Sequence, residues 1–248
     1  MSFILPLVRS VFFLRAFFVL IILGAYSQSK VPPAQSKHQK LSDSDECPSY
    51  TIISVRGTSE PQTHPVCCSG FIKGVLSTVP GGKNYEVIYP ATMDFITGPL
   101  TAADDTIRYV ESIDKRCPNQ PFILIGYSQG AMGVVRSLMR DEMQDKNVVA
   151  VVMYGNPYRT PGSLENAGTA TDGRGLEAIS DVRLPERYQF VTLDICLLGD
   201  IVCSGRGGMK AHLRYKGSPQ EQEAVRFAAN NLQGKQGRIL QTSFDIDQ

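Results

Sequence analysis

The chain has 248 residues, enough for one substantial domain with a hydrophobic core once any targeting segment is removed. Its 25 basic and 24 acidic residues leave a net charge of +1, so no field exists to draw in nucleic acid or an anionic membrane. A hydrophobic fraction of 42%, with 22 glycines and 15 prolines spread without a period, excludes collagen-like and low-complexity chains.

Arg9 and Arg15 precede an apolar run over 16–23, and Ala25-Tyr26-Ser27 puts small residues at the two positions that signal peptidase reads. Residues 1–27 therefore read as a secretory signal. The rival is an uncleaved anchor, because Val11, Phe12, Phe13 and Leu14 extend the apolar stretch upstream. Arg15 interrupts that stretch, which falls short of the roughly 20 uninterrupted apolar residues a spanning helix needs. Residues 28–46 are Ser, Gln, Lys, Pro and Asp with little to bury, a flexible leader. The folded domain is expected over 47–234, with a tail at 235–248. Cys47, Cys67, Cys68, Cys117, Cys196 and Cys203 all lie beyond the cleavage site, where an exported chain lets them oxidise. No spacing of these with His38, His64 or His212 resembles a zinc site, so no metal is expected.

Along the domain, short runs rich in Val, Ile, Leu, Phe and Tyr at 50–55, 85–89, 122–125, 148–154 and 188–193 read as strands. Most are continuously apolar, as in a parallel sheet buried on both faces. Candidate helices lie at 69–77, 99–115, 129–143 and 218–232, the second with Ala102, Ile107, Val110 and Ile113 at helical spacing. Residues 155–184 carry too many prolines and glycines for one element and read as an irregular excursion. Strands alternating with helices predict an α/β three-layer domain with right-handed crossovers.

The sharpest motif is Phe122-Ile123-Leu124-Ile125-Gly126-Tyr127-Ser128-Gln129-Gly130-Ala131, a buried strand running through G-x-S-x-G into a helix. This is the context of a nucleophile elbow, which lifts a serine hydroxyl off the sheet and needs flanking glycines, because a Cβ there would meet a neighbouring strand or helix. A serine needs a base, and elbow enzymes place it downstream in the order Ser, Asp, His. Only His212 lies downstream of Ser128. For the acid, Asp200 within Cys196-Leu197-Leu198-Gly199-Asp200-Ile201-Val202-Cys203 is best placed, since a short disulfide would hold its loop; Asp194 is the rival.

The domain resembles the cutinases and the related acetylxylan esterases over about 47–232. The resemblance rests on Arg56-Gly57-Thr58-Ser59-Glu60-Pro61, Lys115-Arg116-Cys117-Pro118, the Ser128 motif, Gly155-Asn156-Pro157, the Cys196 to Cys203 loop and Ala211-His212-Leu213. It implies a compact α/β-hydrolase fold with a central parallel sheet of about five strands and no large lid, and disulfides Cys47–Cys117 and Cys196–Cys203. It also implies an oxyanion hole from the Gln129 backbone N–H and the Thr58 hydroxyl, Thr58 standing where serine is frequent; the alternative is that Thr58 is only a turn residue. The chain departs from the pattern at Cys67-Cys68, for which a vicinal bridge, free thiols or altered pairing are all open. It departs again at 205–210, a glycine-rich approach to His212 that reads as flexible.

The function expected is a secreted, extracellular serine esterase, a monomer without cofactor, acting on an ester that is polymeric, cutin or another aliphatic acyl ester. Leu197, Leu198, Ile201, Val202 and Leu213 favour acyl chains, as does the absence of Trp for sugar stacking. The alternatives are an acetylxylan esterase removing acetyl groups from plant polysaccharide, a non-catalytic secreted binding protein on the same fold, and a chain attached to the membrane by a retained N-terminal segment.

Overall fold

The structure is a computed structural model and describes residues 47–63 and 66–234. The expected signal segment, leader and C-terminal tail, with His38 and His64, lie outside the described residues.

In chain order the elements are β1 (Tyr50–Val55), α1 (Ser69–Thr78), β2 (Gly82–Glu86), α2 (Thr97–Arg116), β3 (Phe122–Tyr127), α3 (Gln129–Leu138), β4 (Val148–Tyr154), β5 (Asn166–Gly168), β6 (Thr192–Cys196), α4 (Ile201–Ser204), α5 (Met209–His212) and α6 (Pro219–Leu232). The strands form one sheet in the order β2-β1-β3-β4-β6-β5, and every neighbouring pair is parallel. Alternation along β3 divides the core. Phe122 and Leu124 pack with Val110 and Ile113 of α2 and Val134 and Val135 of α3. Ile123 and Ile125 pack on the other face with Phe71 and Val75 of α1 and Ala224 and Ala228 of α6. A strand covered on both faces must be apolar throughout, and each fully buried side chain of this size contributes roughly 1.5–3 kcal/mol.

Helix α2 buries Ala102, Ile107, Val110 and Ile113, the face its spacing predicts. Helix α6 starts where Ser218 accepts a hydrogen bond from the Glu221 N–H (3.1 Å), with Pro219 in the first turn where its missing N–H loses nothing.

The sheet has six strands among the described residues, where about five were expected. The extra one, β5, is three residues inside the excursion, too short for a periodic signal. Strand β2 starts at Gly82, ahead of the expected 85–89 run. It is a partly exposed edge strand that needs no apolar run, while Val87 and Tyr89 are buried beyond its end. The last long strand begins at Thr192, because Glu186–Val191 forms a 3₁₀ turn and only Thr192 onward registers with Val151 of β4. Helix α3 stops at Leu138, and a separate 3₁₀ turn covers Asp141–Met143.

Disulfides join Cys47 to Cys117 and Cys196 to Cys203. Cys67 and Cys68 are free and buried, and desolvation pushes both thiols well above their ordinary pKa.

Candidate active site

Ser128 sits between β3 and α3 with φ 55° and ψ −119°, left-handed backbone that a non-glycine residue seldom adopts. The flanking glycines make the turn possible. A Cβ at Gly126 would lie 2.6 Å from the Gly130 carbonyl oxygen at the start of α3, and one at Gly130 would lie 2.1 Å from the Val55 oxygen at the end of β1. The Ser128 N–H donates to the Tyr154 carbonyl at the end of β4 (2.9 Å), which ties the turn to the next strand. The leading N–H groups of α3 have no intrahelical partner and aim the positive end of the helix at this turn.

Asp200 and His212 meet each other. The His212 Nδ1 lies 3.0 and 2.9 Å from the two Asp200 carboxylate oxygens, and both residues are buried. Asp200 caps α4, its Oδ1 accepting the Val202 N–H (2.8 Å), and the Cys196–Cys203 bridge closes its loop. The imidazole is placed against the serine turn by Tyr127, the residue before Ser128. Tyr127 stacks on His212 at 4.9 Å between ring centroids and donates its hydroxyl to the His212 carbonyl (3.0 Å). Gly155 closes the third side: a Cβ there would lie 2.6 Å from the His212 Cε1 and 2.9 Å from the Asp200 Oδ2. Tyr215, from the turn after α5, donates to Asp200 Oδ2 (2.5 Å) and stacks on Tyr154.

Thr58 follows β1, and its hydroxyl is buried with no hydrogen-bond partner among the described residues. Its loop is fixed from both sides. The Glu60 carboxylate accepts the Gly57 and Cys67 N–H groups (2.7 Å each). The buried Arg56 guanidinium donates to the Glu60, Val87 and Tyr89 carbonyls and lies over the Tyr89 ring. Two further residues with positive φ, Ser59 and Ala91, join this loop to the next through the Ser59 N–H and the Ala91 carbonyl (2.7 Å). Gln129 is buried, and its side-chain amide donates to Thr92 (2.9 Å) and Asp94 (2.8 Å), holding a loop on which Met93 and Ile96 are exposed.

The structure pairs Asp200 with His212 and packs His212 on Tyr127, the residue before Ser128, while Gln129 follows Ser128 in the chain and Thr58 follows β1. It does not bring Asp194 to the imidazole. Asp194 accepts from Asn156 Nδ2 (2.8 Å), its other oxygen has no partner among the described residues, and it lines a cavity of about 210 Å³ with Glu165. Desolvation is the main cause raising its pKa to about 7. The glycine-rich run before His212, read as flexible, is held: Gly208 pairs with Asp200, and its N–H donates to the Gly199 carbonyl (2.9 Å). Of the five apolar residues expected around a crevice, Leu197, Leu198 and Leu213 line a groove of about 540 Å³, while Ile201 and Val202 lie in α4 and Val202 is buried. Glu60, Tyr127 and Tyr215 were not singled out from sequence for any role. Glu60 lies in the Arg56 to Pro61 motif, but tyrosines next to a serine or three residues past a histidine look like ordinary core.

No helix among the described residues is long and apolar enough to cross a membrane. The chain is 29% identical over 198 residues to carboxylesterase Culp1 of Mycobacterium tuberculosis, covering 78% of this chain and 86% of that protein. A cutinase-like protein from a Cryptococcus species superposes with a TM-score of 0.66 at 29% identity, covering 76% of this chain and 95% of that one. The catalytic core of acetyl xylan esterase from Trichoderma reesei shares the fold, with a TM-score of 0.64 at 20% identity over 77% of this chain and all of that one. The family model described as Cutinase matches residues 46–232, and on that match the chain belongs to the cutinase family.

Proposed function

We propose that this carboxylic ester hydrolase works as an exported serine esterase on aliphatic acyl esters. In this reading residues 1–27 are removed, residues 47–234 act as a monomeric catalytic domain, and no cofactor takes part. Ser128 attacks the ester carbonyl while His212 takes its proton, and Asp200 holds the imidazole in the right tautomer and stabilises its charged form. The Gln129 N–H and the Thr58 hydroxyl receive the oxyanion. Collapse expels the alcohol with the proton from His212, and water, activated by the same histidine, releases the acid.

The observation that carries this reading is the buried Asp200–His212 pair set by Tyr127 against the strained Ser128 turn. The buried, unpartnered Thr58 hydroxyl supports the oxyanion assignment, since a buried donor without a partner is costly unless a ligand completes it. For the substrate, exposed Leu198 in the Asp200 loop, exposed Leu213 next to His212, and exposed Met93 and Ile96 on the loop held by Gln129 support an apolar acyl chain. Polymeric cutin and simpler aliphatic esters both fit this chemistry.

Hydrolysis of p-nitrophenyl esters of rising chain length tests the proposal. Each methylene buried against such apolar side chains contributes roughly 0.8 kcal/mol, so kcat/KM should rise from acetate to butyrate or beyond. A steep fall beyond acetate, with strong release of acetate from acetylated xylan, would move the chain to the acetyl esterase side.

A further inference from the structure

We infer that Tyr215 is a positioning residue whose hydroxyl fixes the charge and orientation of Asp200 toward His212. The inference rests on Asp200 and His212 acting as the acid and base proposed above. The hydroxyl lies at the centre of a relay. It accepts the Leu197 N–H (3.3 Å) and donates to the Asp200 Oδ2 (2.5 Å), and that carboxylate faces the His212 Nδ1. It also lies 3.5 Å from the Cys203 sulfur of the disulfide that closes the Asp200 loop. Accepting one hydrogen bond strengthens the one it donates. The ring cannot swing away, because it is fully buried and stacked on Tyr154 at 5.2 Å and 14°.

A carboxylate offers about four acceptor positions, and only some of them are used by the imidazole. Without the Tyr215 hydroxyl, Oδ2 would lose a donor in a dry site while Oδ1 stayed anchored by the Val202 N–H. The carboxylate would then be free to turn about its Oδ1 anchor and meet the imidazole out of line, with its negative charge less dispersed. More charge facing His212 favours the protonated ring, which cannot accept the Ser128 proton. Among the described residues, the ionisable groups packed on the pair are Tyr127 on β3 and Tyr215 itself, with Tyr154 on β4 stacked on Tyr215 and Asp194 on β6 acting on Tyr215. Burial raises all three tyrosines well above their ordinary range, so they stay neutral through the working pH range. Of these four groups, Asp194, raised to about 7, is the one that titrates there.

The test compares wild type, Tyr215→Phe and Asp200→Asn, with active sites counted by a p-nitrophenyl alkylphosphonate so that misfolded protein does not enter the rate. Phenylalanine keeps the stack and removes only the hydroxyl. Per titrated site, kcat should fall about 10- to 100-fold, the scale of a hydrogen bond to a charged group, with KM nearly unchanged because Tyr215 does not touch substrate. The acid limb of the pH profile should move up by about half a unit or more, and should do so equally in an Asp194→Asn background. A merely structural tyrosine would lower the melting temperature and leave per-site kcat and the acid limb where they were. That result, with Asp200→Asn inactive, would overturn the role of Tyr215 alone. Full activity in Asp200→Asn would overturn the triad reading and this inference together.

Discussion

Asp194 and Asp200 carry the same carboxylate six positions apart, and their surroundings separate them. Asp200 is met by two N–H donors and a hydroxyl, whereas Asp194 has the Asn156 amide on one oxygen only. Its folded pKa of about 7 stands above the ordinary carboxylate value, so its contribution to stability is fully present below about pH 4 and is lost as pH rises through about 7. Asp194→Asn keeps an acceptor for Asn156 and never ionises. Its melting temperature relative to wild type should therefore rise by a few degrees between pH 5 and pH 8, with kcat/KM within a few-fold of wild type. A difference that stays flat with pH, followed by thermal unfolding, would show that Asp194 is not held neutral. That Asp200 sits in a loop closed by a disulfide was legible in the sequence because two cysteines bracket it. Tyr215 was not, because its hydrogen bond depends on how α5 and the following turn bring residue 215 back onto residue 200.

Among the elements, β1, β4 and the strand, turn and helix around Ser128 were legible because continuous apolar runs and paired glycines each have one physical explanation. The short pieces next to Asp200 and around His212, α4 and α5, were not. Four residues give no periodicity, and such pieces are held by a disulfide, a side-chain cap and close backbone approaches. The turn after β4 is the same kind of feature. Gly155 has φ 59°, and its N–H donates to the Ile195 carbonyl (3.1 Å), so the chain must pass in left-handed backbone directly under the imidazole. Gly155→Ala should push His212 away from Ser128 and lower kcat by about 10² or more, since misplacing a reacting group by about 1 Å has that scale of effect. Kinetics of the folded variant check this, and a kcat within twofold of wild type would mean that the imidazole has room to spare.

At the scale of the whole molecule, the parallel sheet delivers Ser128, Asp200 and His212 to one end from chain segments far apart in sequence. Ser128 follows β3, Asp200 follows β6, and His212 returns through α5 against Tyr127. The Cys47–Cys117 bridge joins the entrance of β1 to the end of α2 across 70 residues, and a loop of that length restricts the unfolded chain by about 4 kcal/mol. This bridge lies outside the Asp200 loop, which has its own Cys196–Cys203 bridge. The most direct test of the central claim is stoichiometric inactivation by a p-nitrophenyl alkylphosphonate followed by peptide mass spectrometry. One equivalent of p-nitrophenolate should be released per chain and the phosphonyl group found on Ser128, with neither event in Ser128→Ala; a label on another residue, or a Ser128→Ala protein that still hydrolyses esters at the wild-type rate, would contradict the account.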